Sequence, residues 1–155
     1  MFYGPAAYNA AKAELDSAVM ISTPVTIDSA GNAWFGFFVS GPNSAGLASG
    51  IARVAPDGTG AWRAASVLAN DGAVDRVAMN SAPAVANDGN SIYVAVSTAD
   101  GRQGAYLVRV DAATLTPIAR VALVDPATGT PSRITGDSTS SPVVGPAGDV
   151  YFGVL

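Results

Sequence analysis

The sequence predicts an all-β fold of repeated four-stranded antiparallel units, with a possible short helix near the N-terminus. Eleven of the 12 acidic residues are Asp and seven of the 8 basic residues are Arg, whereas helix surfaces usually carry Glu and Lys. The exceptions, Lys12 and Glu14, both lie in residues 6–18, the only stretch that we expect to be helical. After this stretch, short apolar runs alternate with Gly-containing turn signals, which is typical of strands.

A pattern that recurs every 59 residues defines the units. Pro24, Pro83 and Pro142 each begin a short apolar run that is followed by a Gly-containing turn and an aromatic second run. Pro is tolerated as the first residue of a strand, because its missing N–H then falls outside the ladder. Other positions keep the same spacing, among them Leu15 with Val74, Met20 with Met79, and Ser22 with Ser81 and Ser140.

Four strands are expected in each full unit. The first unit has candidates at 24–27, 33–39, 51–55 and 61–68, and the second at 83–86, 91–96, 105–110 and 117–124. Four short strands per repeat indicate the blade of a β-propeller, so we predict a partial β-propeller. A β-sandwich would not require the repeat, and a β-solenoid usually repeats at a shorter period. The predicted boundaries are 1–20 for an N-terminal segment that ends a preceding blade, 21–79 and 80–138 for two blades, and 139–155 for the first two strands of a third.

Several short motifs resemble quinoprotein-like (PQQ-like) propeller repeats. The run from Ser141 to Gly153 looks like the opening of such a blade, and the run from Leu107 to Thr114 is similar to its third strand and following turn. Trp62 stands where that family often begins its fourth strand. Leu115 replaces the Gly that is usual in the family's turn, and Ala55 replaces an expected Asp. We therefore expect the fold of the family, but no bound cofactor.

Composition limits the chemistry of this chain. It contains no Cys and no His, which removes disulfides, thiolate chemistry and the commonest general base. Its net charge of −4 disfavours nucleic acid as a partner. No apolar run approaches the length that a membrane helix needs, so membrane insertion is not expected. A periplasmic or extracellular location is slightly favoured, since loops rich in Ser, Thr, Gly and Asp and the lack of Cys are compatible with it.

Most motifs that suggest chemistry are better explained by structure. The Asp-Gly pairs at 57, 71, 88 and 100 lack the alternate oxygen ligands of a calcium loop and indicate turns. The Gly-rich stretch 41–50 has no βαβ context for phosphate binding and is predicted to be a flexible loop. In the aromatic run 34–38, alternation places Trp34 and Phe38 on one face and Phe35 and Phe37 on the other, as expected of a strand packed between two neighbouring blades.

Two groups of polar residues remain as candidates for binding. Arg53 and Arg109 occupy matching places in the third strands, where we expect each to pair with a nearby Asp; an anion contact is the alternative. The connection entering each first strand is the preferred ligand site, because innermost strands line the channel of a propeller. The candidate ligand-binding residues in these connections are Asp75, Arg76, Asn80, Ser81, Arg133 and Ser140.

The sequence favours a non-catalytic binding or scaffold module that recognises a protein or polymer through its loops. Further blades of the same chain are a second kind of partner, and self-association through open sheet edges is a third. The alternatives are a fragment of a propeller enzyme, quinoprotein dehydrogenase-like or lactonase-like, with catalytic residues elsewhere, and a structural protein exposed on a bacterial envelope.

Overall fold

The structure, a computed structural model, describes residues 1–100, 104–134 and 140–154. It opens with two short helices, α1 (Pro5–Ala10) and α2 (Lys12–Ala18). The predicted helix over residues 6–18 is therefore present but interrupted at Ala11, where φ is −143°. Leu15 is the buried residue of α2.

The first sheet is an antiparallel meander. Its spatial order is β1-β3-β4-β5, and β2 pairs with the beginning of β3. The sheet is therefore four strands wide, because β1 and β2 lie one after the other along the same edge of β3. The strands are β1 (Val19–Ile21), β2 (Thr26–Ile27), β3 (Ala33–Val39), β4 (Gly50–Val54) and β5 (Gly60–Ala64).

The second sheet repeats this plan. Its order is β10-β9-β8-β6, with β7 paired to β8. A third sheet consists of β11 and β12, which pair antiparallel as β7 and β8 do, with one residue fewer in the turn between them. The strands are β6 (Arg76–Val77), β7 (Ala84–Val85), β8 (Ser91–Ser97), β9 (Tyr106–Asp111), β10 (Pro117–Ala122), β11 (Val143–Val144) and β12 (Val150–Tyr151).

Strand pairing gives the correspondence between the first two sheets. Trp34 pairs with Arg53 in the first sheet, as Tyr93 pairs with Arg109 in the second. Each guanidinium lies over its aromatic partner, at 5.7 Å and 6.0 Å from the ring centroid. The predicted equivalence of Arg53 and Arg109 is thus confirmed. The two lie 56 rather than 59 residues apart, because the connection between the second and third strands is three residues shorter in the second sheet.

The largest apolar core lies between the first two sheets. It joins Trp34 and Ile51 of the first sheet to Val94 and Val108 of the second. The opposite face of the first sheet is covered by the N-terminal segment, where Phe2 packs on Phe37 at 4.4 Å between ring centroids. Both faces of β3 are therefore apolar, as the alternation of its aromatic residues predicts.

Two local predictions are wrong. The fourth strand of the first unit, expected over 61–68, ends at Ala64, and residues Ala65–Ala69 form a third helix, α3. Ala65, Leu68 and Ala69 are buried at helical spacing, and Asn70 ends the helix in a left-handed conformation with φ of 46°. In addition, the first strand position of the first two sheets begins before its Pro, because β1 and β6 pair with β3 and β8 upstream of it.

The chain is thus mostly β, with antiparallel sheets and few helices, as predicted. Within the described ranges the three sheets do not close into a barrel or a ring. Hydrogen bonds bridge consecutive sheets, among them those from Thr26 Oγ1 to the Pro83 carbonyl at 2.6 Å, from the Asn80 amide to the Ser22 carbonyl, and from the Ala82 amide to Ser141 Oγ. The two bonds to Ser22 and Ser141 join residues 58 and 59 positions apart, so the spacing of the repeat is also the spacing of contacts between sheets.

Candidate binding site

Asp75 and Arg76 lie together at the loop end of the first two sheets. Arg76 donates from Nε and Nη2 to the two carboxylate oxygens of Asp75, at 2.9 and 3.1 Å. Its guanidinium lies 5.0 Å from the ring centroid of Phe38, at the end of β3. The hydrogen bond to Asp75 raises the pKa of Arg76 above its usual range. The result is a charged, doubly anchored guanidinium on an aromatic platform, which is a rigid way to present Arg.

A cleft of about 440 Å³ opens beside this pair. Its other wall is the loop of residues 40–49, which joins β3 to β4 and contributes Pro42, Leu47 and Ser49. A second cavity, of about 350 Å³, shares Asp75 and extends toward Thr98. The cleft therefore combines apolar side chains, hydroxyl groups and one ion pair, a mixture suited to noncovalent recognition.

Side chains hold the loop of residues 40–49 in place. Asn43 accepts a hydrogen bond from the Leu47 amide at 2.9 Å and donates to the Leu47 carbonyl at 2.8 Å. Glu14 of α2 accepts hydrogen bonds from the hydroxyl and the amide of Ser44, and these bonds lower the pKa of Glu14. The loop that the sequence predicts to be flexible is thus held by hydrogen bonds within itself and to α2. One wall of the cleft is therefore already formed before a ligand binds.

The other candidate residues are placed differently. Ser81 is buried, and its Oγ has no hydrogen-bond partner within the described part of the chain. The backbone of Asn80 has φ of 62°, and its amide bonds to the first sheet. Ser140 lies against Gly153, close enough that a Cβ there would be 2.9 Å from its Oγ. Arg133 is exposed and does not line the cleft. Of the six candidates, Asp75 and Arg76 line the cleft, and the other four do not.

Arg53 and Arg109 make their direct contacts with groups other than Asp, although Arg109 stabilises the charged form of Asp88 electrostatically. Arg53 donates from Nη1 to the carbonyls of Ala112 and Ala113, at 2.6 and 3.1 Å, and so fastens the first sheet to a turn of the second. Arg109 donates from Nε to Ser91 Oγ at 2.9 Å within its own sheet. Neither forms a salt bridge to Asp among the described residues. Sequence spacing shows that these residues are equivalent, but it does not show which turn of the neighbouring sheet each one reaches.

The Asp residues of the Asp-Gly pairs serve turns, as predicted, wherever both residues of the pair are described. Asp57, Asp71 and Asp88 each accept a hydrogen bond from the amide two residues later. These backbone bonds lower the pKa of all three carboxyl groups. The pair at 100 and 101 lies partly outside the described residues. Among the described residues, no three acidic side chains converge as a metal site would require.

Sequence reasoning missed Phe38 and the loop of residues 40–49. Phe38 was assigned to the core by alternation, yet it is half-buried beneath Arg76. The loop carried a turn signal at residues 41–43, but nothing in it indicated contact with Glu14.

The helices that the structure describes are all too short to cross a membrane.

Comparison of this chain with protein-family models, with curated proteins and with solved structures found no match. Its function is therefore inferred from its own residues. They provide a preformed cleft, but no His, no Cys and no cluster of acidic groups among the described residues.

Proposed function

We propose that this chain is a non-catalytic binding or scaffold module, part of a β-propeller of the quinoprotein-like kind, that recognises a protein or polymer at its loop end. The architecture is supported by two four-position antiparallel meanders in matching register, followed by a third pair of strands that begins the same pattern. The stacking of consecutive units face to face is the arrangement of propeller blades.

The anchored Arg76 carries the functional part of the proposal. Its Nε and Nη2 are engaged with Asp75 and its side chain is 18% exposed. Among the described residues Nη1 has no hydrogen bond to the protein, and Arg76 lines the cleft, so we infer that Nη1 donates to a backbone carbonyl or a carboxylate of the ligand. Phe38 and Leu47 supply apolar contact on either side. A ligand with repeated carbonyl groups and apolar side groups, such as an extended peptide, fits this chemistry.

Pre-organisation explains why a small cleft would bind usefully. Binding loses affinity when loops and side chains must be ordered, at about 0.5–1.5 kcal/mol for each long side chain. Here Asn43 and Glu14 already fix the loop, and Asp75 already fixes the guanidinium. The ligand therefore meets a surface whose ordering cost is low.

The test is selection from a random 12-residue peptide library and from a glycan array, followed by measurement of Kd for the selected ligands. Arg76→Gln is expected to weaken binding by about tenfold, because a charge-assisted bond to a ligand oxygen contributes about 1.5 kcal/mol. Arg133→Gln is the matched control, since Arg133 is exposed outside the cleft. Circular dichroism and thermal unfolding check that both variants remain folded. Failure to select any ligand, or equal losses in the two variants, would overturn the proposal.

A further inference from the structure

The charges that line the cleft at the loop end cancel one another. Among the described residues that line it, the charged ones are Asp75 and Arg76, and they form an ion pair. The loop of residues 40–49, which forms the other wall, contains no charged residue. Its Ser44 is hydrogen-bonded to the carboxylate of Glu14. The cleft therefore has no net positive charge, although it contains a guanidinium.

The geometry of the ion pair determines what Arg76 can bind. The Asp75 carboxylate occupies one edge of the guanidinium, at 2.9 Å from Nε and 3.1 Å from Nη2. A ligand carboxylate at Nη1 would be attracted by the guanidinium but repelled by Asp75, so much of the attraction would be cancelled. An amide carbonyl has no net charge to be repelled, and it loses less hydration when it enters the cleft. The ion pair thus favours a neutral acceptor over an anion.

Apolar surroundings strengthen this preference. The guanidinium lies 5.0 Å from the ring centroid of Phe38, and the side chain of Arg76 is 18% exposed. Leu47, which lines the cleft from the loop, is buried. Electrostatic interactions are stronger where water is displaced, and this holds for the repulsion by Asp75 as well as for the attraction by Arg76. An anion also loses more hydration than a carbonyl in such a place.

The carboxylate of Asp75 contributes little to holding the fold. The Asp75 amide donates to the Ser97 carbonyl at 3.2 Å, so the backbone is positioned without the side chain. The side chain is 46% exposed, and within the described ranges its carboxylate is hydrogen-bonded to Arg76 alone. An ion pair this exposed adds little to stability. Its effect therefore falls on the charge of the cleft, which can be changed while the fold is kept.

We propose that Asp75 is a specificity-determining residue: by neutralising Arg76 it makes the cleft select ligands that present an uncharged carbonyl and reject ligands that present a carboxylate. Backbone amides and the side chains of Asn and Gln meet this requirement, whereas acidic peptides and acidic polymers do not. This inference rests on the proposed function, because it takes the cleft to be the ligand site. It narrows the ligand to a peptide that offers a neutral acceptor to Arg76.

The test selects the random 12-residue peptide library in parallel on the unchanged chain, on Asp75→Asn and on Asp149→Asn. Asn keeps the size of Asp and one acceptor oxygen but removes the charge. Asp149→Asn is the matched control, since it changes the net charge equally and Asp149 is exposed outside the cleft. We expect Asp and Glu to be about threefold more frequent in peptides selected on Asp75→Asn than on the other two proteins. Circular dichroism and thermal unfolding check that both variants fold.

Synthetic peptides then measure the preference. An acidic peptide selected on Asp75→Asn should bind that variant about tenfold more tightly than the unchanged chain, and replacing its acidic residue by Gln or Asn should reduce the difference to about twofold or less. Added salt should weaken the preference as well.

Three outcomes overturn this inference while the proposed function stands: equal acidic content on Asp75→Asn and the unchanged chain, the same enrichment on Asp149→Asn, or weaker binding to Asp75→Asn with no gain for acidic peptides. The last would mean that Asp75 only positions Arg76. If no peptide is selected on any of the three proteins, or Arg76→Gln leaves binding unchanged, the proposed function fails and this inference fails with it.

Discussion

Asp28→Ala should destabilise the protein far more than an ordinary turn substitution. The Asp28 carboxylate accepts four hydrogen bonds: two from the amides of Ala30 and Asn32, one from the Asn32 side chain, and one at 2.9 Å from the indole N–H of Trp34. Trp34 is fully buried in the main core. Its indole donor would be left without a partner, which costs about 1–3 kcal/mol, and the lost turn bonds add about 1 kcal/mol.

We therefore expect a loss of about 3 kcal/mol in the free energy of unfolding, or roughly 6–12 °C in Tm for a chain of this size. Urea unfolding followed by circular dichroism and by tryptophan fluorescence measures it. Asp88→Ala is the matched control, because Asp88 occupies the corresponding turn of the second sheet and its hydrogen bonds come from Asn90, with no buried donor among them. It should cost less than about 1 kcal/mol. A loss below about 0.5 kcal/mol for Asp28→Ala, or equal losses in the two variants, would refute this reasoning.

Two further predictions concern packing and pH. Gly36→Val should lower the free energy of unfolding by several kcal/mol, because a Cβ there would lie 2.8 Å from Val77 Cγ1 on the next sheet. Gly41→Val is the control, since a Cβ at Gly41 meets open space and should leave stability nearly unchanged; urea unfolding of both variants tests this. Burial opposes ionisation of Asp28, but its hydrogen bonds outweigh that effect and lower its pKa. The contribution of Asp28 to the free energy of unfolding is therefore complete above the unfolded pKa of about 3.9 and is lost as pH falls through the lower folded pKa. When unfolding is measured from pH 7 to pH 2, the free energy of unfolding should fall less in Asp28→Asn than in the unchanged protein.

The framework could be predicted from the sequence because it repeats. Turn residues and the alternation of apolar residues are local signals that are weak when they occur once. Because they recur at a spacing of 59 residues, each occurrence supports the strands predicted from the others. The positions of β3 and β8, and the equivalence of Arg53 and Arg109, followed from that evidence. The helix α3 did not follow, because residues 65–69 read equally well as a buried strand until their neighbours are known.

The site was harder to predict because it depends on contacts between distant segments. Phe38 and Arg76 meet although they lie on different sheets, and the loop that faces them is fixed by Glu14, 30 residues before Ser44. Alternation assigns Phe38 to one face of its strand, but it cannot show that the strand end projects beyond the core. Only the packing of two sheets determines what covers such a residue.

The cleft uses residues that differ between the repeats. Arg76 pairs with Ser97 in the second sheet, where Met20 pairs with Phe38 in the first. The position that Arg76 occupies in the second sheet is thus held by an apolar residue, Met20, in the first sheet. The position that Phe38 occupies in the first sheet is held by a small hydroxyl residue, Ser97, in the second. Positions that are alike in the two sheets, such as Trp34 and Tyr93, serve packing and the attachment of one sheet to the next. A repeat imposes the same structural demands on each unit, so a combination of side chains that differs between the first two sheets is poorly explained by those demands. This contrast, rather than the cleft's size, is the reason to begin the search for a ligand at Arg76.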